Sequence, residues 1–342
     1  MTAQWLERAG FSWLHALEDD RGFAESVLDG VPVRGAAPTG VTQFRLGYCW
    51  SHLAHLFPQR AEFARASEKS FRITAGRTFR PNDADFRVYD QSFFLLFMAW
   101  YFRLTGERAA CGLLKSRYAE IERHLDDAGV GGFGTQLPGL RSHNPYMHLF
   151  EALLTAFRVT HDEYWLSEAR KMEELFFTRL LDRDSGLVFE FLDADWSVEE
   201  SRRVEIGHQL EWPTLLLEMH AITGSERLTS AADRMYSFAL RHGFEAGGVI
   251  DALHEDGRPM DGRRLLWSQT EAVRQFAIRG RSLGDADARE RAGTQWDHIL
   301  NHFIHPNGWS WHNRIAEDGT PVDEPSNARL LYHVVSAAAE LT

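Results

Sequence analysis

Two stretches about 125 residues apart each place a histidine near the expected start of an apolar helix: Gly207-His208-Gln209-Leu210-Glu211-Trp212 and Leu331-Tyr332-His333. Imidazole titrates near neutrality, so a facing pair can remove a proton from one carbon of a substrate and return one to another. Such a pair suits an isomerase or an epimerase. Around it lie other polar groups in otherwise apolar surroundings. Arg45 precedes Leu46-Gly47-Tyr48, Tyr89-Asp90-Gln91 precede Ser92-Phe93-Phe94, and Asn144, His148 and Glu151 interrupt Pro145-Tyr146-Met147 and Leu149-Phe150. Gln269 and Glu271 follow Trp267. An unpaired ion in a buried helix costs several kcal/mol, so charge that recurs at the same place in six helices points to chemistry as well as packing.

Spacing refines this picture. His148 lies four residues after Asn144 and three before Glu151, and His208 lies three before Glu211, so each histidine shares a helix face with a polar neighbour. Pro145 suits a first helical position with Asn144 as cap, which would put this group at a helix mouth. Pro213 is tolerated near a helix start, which places His208 near that end as well. Trp212, Trp267 and Trp311 read as core residues, or as aromatic planes for sugar rings where they reach a polar mouth. His52, His55, His220 and His302 read as surface or packing residues.

The elements that must position these groups are helical. Three- and four-residue apolar spacing predicts helices over Trp5–Leu17, Phe44–Phe57, Ala61–Ile73, Val88–Leu104, Ala109–Leu125, Met147–Val159, Tyr164–Leu181, Leu210–Ile222, Leu228–Leu240, Leu265–Ile278, Ala286–Phe303 and Ala328–Leu341. Strand character is confined to Gly186–Leu192 and Gly308–Ile315. The helices pair, with a period of about 50 to 60 residues, and Thr105-Gly106, Thr160-His161-Asp162 and Thr223-Gly224 punctuate three pairs at the same place. Six pairs in one compact acidic chain predict an all-α closed (α/α)6 barrel in which the N-terminal helix partners the last. No interior linker divides the chain, so residues 1–342 read as one domain, with a connection from Val31 to Thr39 after an N-terminal arm.

Composition excludes several classes. Among 342 residues, 44% are hydrophobic and 25% charged, as in a globule with a large core. The formal net charge of −12, with no basic block, argues against nucleic acid or an anionic membrane as partner. No stretch reaches the roughly 20 apolar residues of a membrane span. Residues 1–17 mix Glu7, Arg8 and His15 into their apolar positions and do not read as a signal peptide. The two cysteines, Cys49 and Cys111, read as buried free thiols, and the expected compartment is the cytoplasm. Sixteen histidines raise the question of metal. The core elements hold no His-x-x-x-His pair with a third ligand, and the His298, His302 and His305 cluster falls on an outer helix, so neither a functional metal nor a cofactor is expected.

The motifs resemble the N-acylglucosamine 2-epimerase family, whose relatives include cellobiose 2-epimerases, D-mannose isomerases and sulfoquinovose isomerase. They are Thr42-Gln43-Phe44-Arg45, Val88-Tyr89-Asp90-Gln91-Ser92-Phe93, Asn144-Pro145-Tyr146-Met147-His148-Leu149-Phe150-Glu151-Ala152, the stretch from Arg203 to Trp212, Trp267-Ser268-Gln269-Thr270-Glu271, and Tyr332-His333. The resemblance runs from about residue 40 to the C-terminus. It implies an (α/α)6 barrel and a metal-free site in which His208 and His333 are the acid/base pair on an opened aldose, with His148 beside them. Arg45, Tyr89, Asn144, Arg203, Glu211, Trp267 and Glu271 would surround the sugar. Gly-His-Gln-Leu-Glu-Trp looks more like the mannose and sulfoquinovose isomerases than the cellobiose enzymes. The implied reaction is therefore interconversion of D-mannose and D-fructose, with D-lyxose and D-xylulose as further candidates. The alternative is 2-epimerisation of the N-acylglucosamine, mannose/glucose or cellobiose type. Ile206 stands where many members have proline, Pro213 is unusual, and the chain is shorter than most relatives, so loops over the mouth are expected to be trimmed.

Mechanistically, His148 or His208 would protonate the ring oxygen and His333 would take the C2 proton. Arg45, Arg203 or Asn144 would stabilise the enediolate, and His208 would return a proton to C1 or C2. An inverting glycoside hydrolase using two of Glu151, Glu211, Glu271 and Asp90 is a competing reading, with carboxylates roughly 6.5 to 9.5 Å apart. A non-catalytic helical scaffold is another. The partner is a small sugar, and the sequence leaves self-association undecided.

Overall fold

The computed structural model describes residues 1–33, 38–75, 87–125 and 140–342, so part of the Val31–Thr39 connection lies outside the described residues. Among the described residues twelve α-helices follow in chain order. They are α1 (Thr2–Leu17), α2 (Gly40–Leu56), α3 (Ala61–Ala75), α4 (Val88–Thr105), α5 (Arg108–Leu125) and α6 (Asn144–Thr160). Then come α7 (Glu163–Leu175), α8 (Ile206–Thr223), α9 (Glu226–His242), α10 (Leu266–Ser282), α11 (Ala286–His302) and α12 (Leu331–Ala339). The twelve expected helices are all present with shifted ends. The seventh breaks into a π-type turn at Phe176–Leu180, and the last begins with a 3-10 turn at Ala328–Leu330.

Even-numbered helices form the inner ring. α2 packs on α4, α4 on α6, α6 on α8, α8 on α10, α10 on α12, and α12 returns to α2. The outer helices α3, α5, α7, α9 and α11 each pack on the inner helix before them, and α1 packs on α12. This closed (α/α)6 ring explains why α4 and α8 are apolar all round, whereas outer helices such as α9 carry a single apolar stripe. Trp13, Trp50, Trp165, Trp212 and Trp311 are fully buried, and the indole N–H groups of Trp5 and Trp13 fasten α1 to the carbonyls of Gly308 and Trp309.

The turn from inner to outer helix repeats in chemical detail. Thr105, Thr160 and Thr223 each donate a hydroxyl to the carbonyl four residues earlier, and the next residue adopts a left-handed conformation. Glycine fills that position at Gly106 (φ 70°) and Gly224 (φ 71°), and His161 (φ 54°) does so in the third pair.

A second repeated device binds the opposite loops. The side-chain amide of Gln43 exchanges two hydrogen bonds with the backbone of Phe23, Gln209 with Val188, and Gln269 with Val249. Each glutamine lies in the first turns of an inner helix and grips the backbone about twenty residues upstream. Strand structure is more extensive than the two expected segments, though every piece is short. Phe191–Asp193 pairs with Leu140–Ser142, Ala252–Leu253 lies between Val204–Glu205 and Pro259–Asp261, and Arg264–Leu265 pairs with Arg314–Ile315. These ladders hold the connections over the N-terminal ends of the inner helices. No helix among the described residues is long and apolar enough to cross a membrane.

Closure of the ring demands a near contact between α2 and α4, where a β-carbon on Gly47 would stand 2.6 Å from the Phe97 ring. Helix propensity alone would make Gly47→Ala stabilising by about 1 kcal/mol. The ring contact instead predicts a net loss of about 1–2 kcal/mol, because overpacking outweighs propensity. Chemical denaturation checks the sign, and a gain in stability would show that the two helices are not so tightly apposed.

Candidate active site

All six inner helices bring their first turns to one end of the barrel. Arg45 lies in the second turn of α2, Tyr89 and Asn144 at the starts of α4 and α6, His208 and Glu211 in α8, Trp267 and Glu271 in α10, and His333 in α12. The partial positive ends of six helices therefore face the same space, which favours developing negative charge there.

The two histidines predicted to act together each lie beside the Trp267 ring. The Trp267 ring lies 4.8 Å from the His208 ring and 5.9 Å from the His333 ring between centroids, so the imidazoles are separated by no more than those two distances combined. Trp267 is half-buried at this mouth, whereas Trp212 and Trp311 are core. Its indole lies directly on the backbone of α8: a β-carbon on Gly207 would come within 2.3 Å of it.

The surroundings give the pair opposite protonation. His208 Nδ1 lies 2.8 Å from Glu190 and 3.4 Å from Glu205. Burial opposes its charge, yet Glu190, with Glu205 and Glu211 behind it, lifts its pKa to about 9. His333 Nδ1 lies 2.7 Å from Glu271. There burial prevails over the attraction of Glu271, with Arg45 and Arg274 adding repulsion, and the pKa is depressed. At neutral pH His208 is a cation and His333 a neutral base.

Beneath them runs a buried ion network centred on Arg274. Its guanidinium lies 3.0 Å from Glu271, 3.1 Å from Glu151 and 4.0 Å from Glu211, joining α6, α8 and α10. Burial would raise the pKa of Glu151, but the bond to His148 and the charge of Arg274 hold it at about 2. Tyr332 donates its hydroxyl to the same carboxylate. His148 lies 3.5 Å from Glu151 and 3.8 Å from Glu211, and burial pulls its pKa to about 4. Glu211 differs from these carboxylates. Burial, then the charges of Glu271 and Glu151, push its pKa well up, and both its oxygens are buried without a hydrogen-bond partner among the described residues.

The remaining predicted residues divide. Arg45 donates to the Tyr89 hydroxyl and lies 3.9 Å above the Phe93 ring, with its Nε buried and unpaired among the described residues. Asn144 Oδ1 is likewise buried and unpartnered, but Asn144 is the first helical residue of α6 and His143 occupies the cap position expected for it. Arg203 stands at the rim, where Glu205 and Asp251, each 2.9 Å away, occupy it. It is thus one step removed from the expected enediolate contact. Pro213 is the eighth residue of α8, inside the helix instead of at its start. Cys49 is buried as expected, whereas Cys111 is only half-buried. His52 packs on Trp100, and His305 pairs with His312 instead of joining His298 and His302.

Sequence reasoning missed Glu190, Glu205, His143 and Arg274. Arg274 had a signal: a charge three residues after Glu271 within the apolar run Ala272–Ile278. His143 sits one residue before the motif that runs from Asn144 to Ala152. Glu190 carries no periodic signal, because it reaches His208 through the loop that Gln209 grips at Val188.

The N-acylglucosamine 2-epimerase (GlcNAc 2-epimerase) family model matches residues 37–337. The chain is 31% identical over 275 residues to a mannose-6-phosphate isomerase of Rhizobium meliloti, covering 76% of this chain and 70% of that protein. It is 26% identical to a D-mannose isomerase of Thermobifida fusca, covering 66% of this chain and 61% of that one. A crystal structure of D-mannose isomerase superposes with a TM-score of 0.90 at 19% identity, over 99% of this chain and 96% of the other. A twelve-helix ring with its polar groups gathered at one mouth, and a family match over most of its length, make this chain a member of the N-acylglucosamine 2-epimerase family.

Proposed function

We propose that this carbohydrate isomerase/epimerase interconverts D-mannose and D-fructose through an enediolate, with His333 as general base and His208 as general acid. The observation that carries the reading is two buried imidazoles beside the Trp267 ring, one bonded to Glu190 and the other to Glu271, whose surroundings drive their pKa values in opposite directions. Environments that drive two titratable groups apart mark the acid and the base. His208, already protonated, donates to the ring oxygen as the pyranose opens and takes the anomeric hydroxyl proton in return, so it is again a cation once the carbonyl has formed. His148, held neutral near neutrality, serves as a hydrogen-bonding neighbour instead of that acid.

His333 takes the C2 proton, the C2 hydroxyl proton passes to O1, and His208 protonates C1. The C1–C2 double bond of the enediolate is thereby exchanged for the C2 carbonyl of the ketose. Solvent exchange resets both histidines. Arg45 and the converging helix ends stabilise the negative oxygens. Glu211, pushed toward its protonated form and with neither oxygen hydrogen-bonded among the described residues, can donate to sugar hydroxyls when protonated and accept from them, and Asn144 offers a further such polar atom.

Two features support a neutral sugar as substrate. The relative from Thermobifida fusca is named for D-mannose, although the one from Rhizobium meliloti, at higher identity, is named for mannose 6-phosphate. Among the described residues Arg203, Arg263, Arg274 and Arg329 are each held by carboxylates, and Arg45, which is not, lies against Tyr89 and Phe93 and is taken up in this scheme by the enediolate. Inverting hydrolysis fits poorly at the pairs Glu151–Glu211 and Glu211–Glu271, whose oxygens approach within 4.8 Å, closer than the roughly 6.5 to 9.5 Å that admits a water. The closed ring also leaves no open concave face for a scaffold. The family's name carries the alternative, inversion at C2, which differs only in where the last proton lands.

Incubation with D-mannose in D2O, followed by NMR, is expected to give fructose labelled at C1. His208→Ala and His333→Ala should each lose at least about a hundredfold in kcat. Glucose labelled at C2 as sole product would establish the epimerase reading. Mannose 6-phosphate, run in parallel, should turn over more slowly than D-mannose. The reaction requires no metal, so treatment with EDTA should leave the rate unchanged, and loss restored by a divalent ion would contradict the scheme.

The pH profile of kcat/KM follows from the two imidazoles. Below the ordinary histidine range the rate falls as His333 gains its proton, and above about 9 it falls as His208 loses its own. Glu190→Gln removes the main source of the upward shift, so its alkaline limb should move toward neutrality while the acid limb stays. An alkaline limb still near 9 in that variant would contradict the assignment of His208.

A further inference from the structure

Glu190 is shared by two histidines. Its Oε2 lies 2.8 Å from His208 Nδ1 and 3.2 Å from His143 Nε2, and Ser142 donates its hydroxyl to the other oxygen at 3.3 Å. The two rings meet edge to face with centroids 4.6 Å apart. Two imidazolium ions so close in a buried site would repel strongly, so only one can hold the charge.

A tryptophan decides which one. The Trp212 indole N–H, a donor with no acceptor capacity, points at His143 Nδ1 from 3.0 Å. His143 Nδ1 must therefore accept, and its single proton sits on Nε2, directed at Glu190. An imidazolium at His143 would set an N–H against an N–H. Trp212 is fully buried and packed against Phe150 and Phe176, so the indole has no alternative place. It also lies four residues after His208 on α8, so one helix presents both the acid and the group that fixes its neighbour's tautomer.

We propose that His143 is a positioning residue for the reaction: locked as a neutral imidazole by Trp212, it aims and holds Glu190 against His208 and reserves the proton for His208. The proposal rests on the reading of His208 as the proton donor. It adds a relay, Trp212 to His143 to Glu190 to His208, that lies behind the mouth. The other groups facing His208 are Glu205 at 3.4 Å, itself bonded to Arg203, with Glu211 on the same helix and Trp267 across from α10. Those facing His143 are Glu190, His208, Trp212 and, beside it in the chain, Ser142. Burial adds to the lock, lowering the pKa of His143 against the pull of Glu190.

Trp212→Phe and His143→Gln test the relay. Phenylalanine keeps the aromatic packing and removes only the lock. Glutamine keeps an N–H that can reach Glu190 but cannot be protonated. The ring resonances of His208 are followed by NMR against pH, alongside kcat and KM. In Trp212→Phe the titration of His208 should fall by at least about one pH unit, because His143 can then compete for the proton. The alkaline limb of kcat should move with it and KM should change little. His143→Gln should stay within about threefold of the parent in kcat, whereas His143→Ala should lose at least about tenfold.

An unshifted His208 titration in folded Trp212→Phe would overturn the relay, and so would equal kcat for His143→Gln and His143→Ala. The NMR titration needs no turnover. If His208→Ala proved active, the functional reading would fall while the relay between the two imidazoles was still measured by itself.

Discussion

One guanidinium holds the polar mouth of this ring together. Arg274 is buried inside the barrel and faces carboxylates from three inner helices, Glu151 of α6, Glu211 of α8 and Glu271 of α10. Leaving such charges unpaired would cost several kcal/mol each, and removing one partner of a buried pair strands the others. The cation lets Glu151 and Glu271 stay ionised, and those carboxylates then orient His148 and His333. Arg274 cannot satisfy all three acids, and Glu211, the farthest from it at 4.0 Å, is left without a hydrogen-bond partner among the described residues and pushed toward its neutral form. The network thus produces both fixed anions and an uncommitted acid from one residue type.

The same reasoning separates the histidines. All lie in low-dielectric surroundings that penalise charge, and what differs is the carboxylate within reach. His333 faces Glu271, whose charge is already shared with Arg274, so burial prevails. His208 faces Glu190, whose other contacts are a neutral imidazole and a hydroxyl, with Glu205 adding to the field. The stronger unshared charge wins there, and His208 keeps its proton. Two residues of one type thereby lean to opposite protonation states.

The scaffold makes these contacts possible through repetition. Each inner helix begins at the mouth, and in three of them a glutamine grips the incoming loop while the neighbouring positions face the cavity. In α8 the register is direct: Gln209 holds Val188 while His208 meets Glu190, two residues further along the same loop. Loop backbone, helix register and catalytic geometry are parts of one arrangement.

Much of this was legible in the linear chain. Twelve apolar periodicities, a repeated Thr-Gly punctuation and polar residues at matching positions determined a closed helical ring, because periodicity and turn chemistry are local properties. His208, His333, His148, Trp267, Glu211 and Glu271 were legible because charge and imidazole in apolar helix starts have no packing explanation. Tertiary structure alone decided which carboxylate each histidine meets. Glu190, Glu205 and His143 come from loops and a helix cap with no periodic signature, and Arg203 proved to be occupied by Glu205 and Asp251. A protonation state depends on distances of a few ångströms between groups remote in sequence. Local pattern carries no information about those distances until the ring closes.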